Sequence, residues 1–192
     1  MEGLLSYEEL CLEVLKKHVM VGVGSDGRRV ELGFKNVNSS SIELHMGDFV
    51  LQELPPISHS VLDFRAREKL EVRRVALDKE DGFVLAPGQF ILAESHEMFF
   101  LPNHLSCEYK MKSSMARIGL EHLNSGWCGA GWNGSVLTLE LKNLTSHHSI
   151  RLRPGDAIGQ MVFYRHAPVP SERSYAARGR YNRHNTVETI QE

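Results

Sequence analysis

Three cysteines (Cys11, Cys107, Cys128) are scattered through 192 residues, with no close pair among them. An odd, dispersed set excludes a CxxC metal or redox motif and argues against a secreted disulfide scaffold. Long apolar runs are absent as well, so no segment reads as a membrane-spanning helix. The opening MEGLLSYEELCLEVLKKH has neither a basic n-region nor a small-residue cleavage site, and a signal peptide is not expected. Charge of one sign is not in excess: 22 Lys+Arg stand against 24 Asp+Glu, for a net charge of −2. No global field recruits nucleic acid or an anionic membrane. These absences place the chain in a reducing, soluble, cytoplasmic setting. At this length one domain can bury a core without staples.

What is present begins with a helix over roughly the first eighteen residues. Ser6 and Glu9 form a capping box. Leu10, Val14 and Leu15 supply the apolar face, and Lys16, Lys17 and His18 suit the C-terminal end of the dipole. The glycine-rich stretch 21–29 reads as a turn or irregular connection. Eight short strands follow, over 41–50, 70–75, 82–85, 90–97, 106–112, 136–143, 150–152 and 157–164. Pro-Gly at 87–88 and 154–155, Pro-Asn at 102–103 and the glycine-rich 126–134 separate them. Many short strands with regular turn signals predict a mainly β sandwich or barrel. No fixed-period repeat is present, which argues against a propeller or solenoid.

Pro168 and Pro170 divide a body, 1–170, from an arm, 171–192. From 165 to 187 the chain carries Arg165, Arg173, Arg178, Arg180 and Arg183. Such a terminus is either a solvated tail or a flap for an anionic ligand, with Tyr175 and Tyr181 available for stacking.

Two stretches carry chemistry. In Lys112-Ser-Ser-Met-Ala-Arg-Ile-Gly-Leu120, Gly119 can end a short helix in which Ser113 and Arg117 face the same way. Two serine hydroxyls and a lysine at such a helix start form a phosphate cradle; equally, a serine cap beside an exposed arginine marks a helix start and nothing more. In the strand after Gly134, Leu137, Leu139 and Leu141 share one face, while Thr138, Glu140 and Lys142 share the other. Glu140 is therefore either a surface charge beside Lys142 or a carboxylate at a pocket mouth, able to shuttle protons.

Together these segments resemble the dCTP deaminases of the trimeric dUTPase-like superfamily. The similarity rests on Ser-Ser-Met-Ala-Arg-Ile-Gly-Leu (113–120), Gly-Trp-x-x-x-Gly-Trp-x-Gly (126–134), Thr-Leu-Glu-Leu (138–141), Leu-Arg-Pro-Gly-Asp-Ala-Ile-Gly-Gln (152–160) and a Tyr…Arg-Tyr tail (175, 180–181). Weaker matches lie at 41–47 and 86–93. The resemblance implies a distorted β-barrel (β-clip) with an N-terminal helix and a short helix after Lys112. It implies a homotrimer with active sites between subunits, and deamination of dCTP to dUTP for dUMP and dTTP supply. Glu140 would be the general base, with Ser113 and Arg117 holding the water, the glutamate and the nucleotide. Lys112, Ser114, Trp127, Gly129, Trp132, Thr138 and Gln160 would contact nucleotide, and Tyr175, Arg180, Tyr181 and His184 would cover the triphosphate. Mg²⁺ would arrive on the substrate phosphates. Zinc is not expected, since no P-C-x-x-C motif pairs with an H-x-E motif and His96 does not begin a usable one.

The chain also departs from that pattern. Lys112 replaces an arginine, Arg180 a lysine and His184 a glutamine, while Gly129 stands where the family places a sugar-binding aspartate. One additional residue precedes Glu140, as a β-bulge would allow. These changes leave open a modified cytosine nucleotide or a monophosphate as substrate, a dUTPase-like pyrophosphatase, or a nucleotide-binding regulator without turnover. Cys107 and Cys128 read as buried thiols, Cys128 near the altered loop, and His147 and His148 as turn residues without a metal.

Overall fold

The structure, a computed structural model, describes residues 2–24, 26–57 and 61–190. Its centre is a strongly curled antiparallel sheet, a half-barrel. Across it the order runs Trp127–Cys128, Leu105–Met111, Ala157–Arg165, Ile42–Glu53, Phe90–Phe100, Asn133–Asn143 and Leu120–His122. Each of the eight strands expected from the sequence is present, with ends shifted by a few residues. A separate ribbon pairs Phe83–Leu85 with Ile150–Leu152. Asn143, fully buried, ties that ribbon to the sheet by donating to the Leu85 carbonyl at 2.9 Å and the His148 carbonyl at 2.8 Å.

Alternation decides which residues fill the barrel. In Asn133–Asn143, Leu137, Leu139 and Leu141 point inward while Thr138, Glu140 and Lys142 remain part-exposed. Facing strands contribute Ile42, Leu44, Met46, Ile91, Ala93, Met161 and Phe163, all fully buried. Each large aliphatic side chain removed from water in this way contributes roughly 1.5–3 kcal/mol before entropy is charged against it. Between Asn133 and Ser135 the strand advances two residues while its partner, Phe100 to Phe99, advances one. Gly134, at φ +67°, absorbs the extra residue as a bulge.

Two expectations change. The N-terminal segment is not one long helix: Gly3–Leu4 pairs with Tyr164 and Arg165 as an edge strand, and helix begins at Tyr7. Glu9 does reach back to the Ser6 amide at 2.9 Å. From Leu10 to Leu15 the helix widens to a π-helix, with bonds such as Lys16 N–H to the Cys11 carbonyl, and buries Leu10, Cys11, Val14 and Leu15 together. Residues 21–29 are not irregular throughout, because Met20–Val23 and Arg29–Val30 form a hairpin. Glycines at 22, 24 and 27 mask its alternation.

Candidate active site

Glu140 lies on the outer face of its strand, half-buried, beside the loop that links Leu120–His122 to Trp127–Cys128. Ser125 in that loop donates its hydroxyl to Glu140 Oε2 at 2.5 Å. Buried His122 places Nε2 3.2 Å from the same oxygen, off the axis of an aligned hydrogen bond and with no other partner. The Asn124 amide donates to His122 Nδ1 at 3.2 Å, so in the neutral ring the proton sits on Nε2, facing the carboxylate. Burial pushes the Glu140 pKa up, but the nearby His122 ring, the Ser125 hydroxyl and the Glu140 backbone amide outweigh it. The carboxyl is held below its ordinary value. Both neighbours lie at Oε2, and the carboxyl lines the cavity.

That cavity, about 400 Å³, is walled by Trp127, Cys128, Trp132, Leu92, Val136 and Leu137, with Thr138 and Glu140 as polar points. Its roof is the chain's own C-terminal arm: Tyr175, Tyr181, His184 and Glu188 all line it. The arm is strapped down by backbone bonds. Tyr175 N–H reaches the Ala130 carbonyl at 2.8 Å, Trp132 Nε1–H the Tyr181 carbonyl at 2.6 Å, and Val136 N–H the His184 carbonyl at 2.9 Å. Gly129 lies under the Tyr175 ring; a Cβ there would sit 3.4 Å from Cδ2. A side chain as long as aspartate would press on that ring.

The expected site residues divide into two groups. Glu140, Thr138, Trp127, Trp132, Tyr175, Tyr181 and His184 meet at the cavity, with Gly129 beneath Tyr175 and Arg180 exposed on the arm. Lys112, Ser113, Ser114, Arg117 and Gln160 do not line it. The helix Ser113–Arg117 presents Ser113, Ser114 and Arg117 to solvent, and Arg117 lines a different cleft with Thr145, His148 and Arg151. Lys112 is paired with Glu43 at 2.6 Å, and Gln160 accepts from the Ser41 hydroxyl at 2.9 Å. Among the described residues, no group of three or more His, Cys, Asp or Glu side chains could hold a metal ion.

Sequence reasoning missed Ser125 and His122. Ser125 sits in a polar loop without periodicity. His122 carries one available signal, its place in the buried phase of Leu120–His122, but nothing local links it to a carboxylate eighteen residues on.

Comparison with known proteins bears on the same segments. The "dCTP deaminase, dUMP-forming" of Persephonella marina is 34% identical over 146 residues, covering 76% of this chain and 77% of its own. The protein of the same name from Beutenbergia cavernae is 34% identical over 142 residues, covering 73% and 72%. Among solved structures, the 2'-deoxycytidine 5'-triphosphate deaminase of Agrobacterium tumefaciens superposes with a TM-score of 0.65 at 20% identity, which establishes a shared fold. That match covers 86% of this chain, which spans about half, 48%, of the other. Residues 25–166 match the family model described as dCTP deaminase-like, a span holding the strands from Arg29–Val30 to Ala157–Arg165 and Glu140 with the barrel side of its cavity, but not the arm that roofs it. The chain belongs to the dCTP deaminase-like family.

Proposed function

We propose that the protein deaminates dCTP to dUTP and ammonia without zinc, Glu140 serving as general base. One observation carries this reading: a carboxylate held by Ser125 and His122 opens into a cavity walled by Trp127, Trp132, Tyr175 and Tyr181. The aromatic walls suit a flat base, and the Glu140 carboxylate at the cavity would take a proton from water attacking C4 of cytosine. The same carboxyl then returns protons to the ring nitrogen and to the leaving ammonia. Proton transfer of this kind contributes roughly 10²–10⁴-fold.

Ser113 and Arg117 lie away from Glu140 on the same chain, so the proposed working unit is a homotrimer in which a neighbouring copy supplies them. Lys112, Ser114 and Gln160 would act on nucleotide from that side. Tyr175, Tyr181, Arg180 and His184 would close over the triphosphate, whose Mg²⁺ arrives as part of the substrate. The absence of a P-C-x-x-C motif from the sequence leaves water activation to the carboxylate.

A second reading has a specific observation in its favour: the two curated relatives are named dUMP-forming. On that reading the protein also cleaves the triphosphate. Gly129 offers no side-chain carboxylate for a hydrolytic water, and the arm lacks a glycine-rich phosphate loop.

Incubation with dCTP, dCMP or dUTP plus Mg²⁺, following ammonia and pyrophosphate separately, decides among them. Ammonia alone from dCTP supports deamination to dUTP; ammonia with pyrophosphate supports the dUMP-forming reading. Binding with neither product overturns both in favour of a regulator. In the same assay Glu140→Gln is expected to abolish ammonia release while nucleotide affinity stays within a few-fold. Turnover near the wild-type rate would remove Glu140 as the base.

A further inference from the structure

We propose that Glu94 is a positioning residue that clasps the C-terminal arm shut over the Glu140 cavity and so governs how fast nucleotide leaves. The part concerning nucleotide rests on the arm's proposed role as its cover; the clasp itself rests on geometry alone.

Glu94 lies on Phe90–Phe100 and is 7% exposed. Its side chain crosses Gly47 of the neighbouring strand Ile42–Glu53, where a Cβ would stand 2.6 Å from Glu94 Cγ. Glycine at 47 is what leaves room for a carboxylate to lie flat there. Glu94 Oε2 accepts from the Thr186 hydroxyl at 2.8 Å and from the Val187 amide at 2.9 Å. The Thr186 oxygen in turn accepts from the Arg74 guanidinium at 2.8 Å, and Arg74 lies 3.9 Å over the Phe49 ring. Three strands thus converge on two arm residues. Val187, 3% exposed, completes the seat by packing against Leu51 and Leu92. Leu92 also lines the Glu140 cavity, so the seat and the cavity share a wall.

A carboxylate taken out of water is costly unless donors replace its hydration. Here burial pushes the Glu94 pKa up, opposed by the bonds from Val187 and Thr186 and by the charge of Arg74, with Asp48 adding to the rise. Both hydrogen bonds to this carboxylate come from the arm. When the arm lifts, Glu94 loses its donors and the Leu51–Leu92 patch meets water. Lifting is therefore opposed at a point beyond Tyr181 and His184, the residues that roof the cavity.

The test compares the wild type with Glu94→Leu, Glu94→Gln and Thr186→Val. Amide hydrogen exchange over 181–187 is measured without ligand, and dCTP dissociation is measured with Mg²⁺ with each protein carrying Glu140→Gln in addition, so that the nucleotide is not turned over. Losing one or two buried hydrogen bonds is expected to speed exchange at Val187 about tenfold or more in Glu94→Leu and Thr186→Val. Glu94→Gln, whose amide oxygen can accept from both donors, should stay near the wild type. Dissociation of dCTP should quicken in the same two variants. Unchanged exchange in both overturns the clasp. Faster exchange with unchanged dissociation instead sinks the arm as a nucleotide cover and leaves the clasp standing. Should Glu94→Leu fail to fold, Thr186→Val decides alone, since Thr186 lies on the arm outside the barrel.

Discussion

Glu140 and His45 show how side-chain neighbours set the behaviour of single groups. Ser125 donates to Glu140 Oε2 and His122 lies beside it, and with the Glu140 backbone amide they outweigh the burial that would raise its pKa. A base held low is ionised throughout neutral pH, so the acid limb of kcat/KM should lie below the ordinary carboxylate range. Ser125→Ala removes one donor, leaving burial less opposed. The limb is expected to move up in pH and kcat to fall several-fold, with KM little changed. A pH profile that overlays the wild type would dismiss Ser125 as a support for the base.

His45 offers a test in stability. Its Nδ1 lies 2.6 Å from Oε1 of fully buried Glu97, with Glu43 at 3.9 Å on the other nitrogen and Lys112 beyond. The hydrogen bond that His45 donates to Glu97 raises the imidazole pKa, against burial, with the charges of Glu97 and Glu43 adding and that of Lys112 subtracting. A raised folded-state pKa gives stability that is full below the unfolded value of about 6.5 and lost as pH rises through the folded one. Tm should therefore fall as pH rises from about 6.5 through the raised folded-state value, and His45→Gln should flatten that fall. An equal slope in the variant would place the titration elsewhere.

At the scale of elements, the arm behaves as part of the barrel. Its bonds to Ala130, Trp132, Val136 and Glu94 tie it down over the span from Tyr175 to Val187. The basic residues Arg178, Arg180 and Arg183 remain exposed on its outside. Under the proposed function they meet phosphates, and deletion of residues 174–192 should weaken triphosphate binding more than monophosphate binding. Isothermal titration with dCTP and dCMP measures this, and equal losses would show that the arm does not read the phosphates.

The arm's ambiguity in the sequence has a physical origin. Low apolar content suggests a solvated tail, whereas the structure holds it by backbone hydrogen bonds and by two apolar contacts, Tyr175 against the main core and Val187 against Leu51 and Leu92. Backbone bonding leaves no composition signal. The strands were legible because a half-buried strand alternates and a turn needs Gly, Pro or Asn. The Met20–Val23 hairpin was not, because glycine within one short arm and in the connecting turn erases alternation.

For the whole molecule, the decisive feature is the distance between the two groups of expected site residues. Arg117 lines a cleft with Arg151 and Ser113 is exposed on the same helix, while Glu140 lines its own cavity. A closed trimer would bring one copy's helix to the next copy's cavity. Arg117→Ala and Glu140→Gln should each be inactive alone, yet regain activity when unfolded and refolded together. Random mixing at equal amounts gives roughly a quarter of sites an intact pair. No recovery on mixing would place both residues in one subunit's site and contradict the shared arrangement.

The sequence by itself determined the barrel strands, the family and the identity of Glu140 as an outward-facing carboxylate, because these follow from local alternation and from ordered motifs. Which groups surround that carboxylate is set by how the sheet folds. Ser125 and His122 reach it across a strand pairing, Glu94 meets Thr186 across 92 residues, and Ser113 and Arg117 stand away from the cavity that motif order alone would give them. Contacts across a curled sheet depend on register and curvature, which no stretch of neighbouring residues encodes.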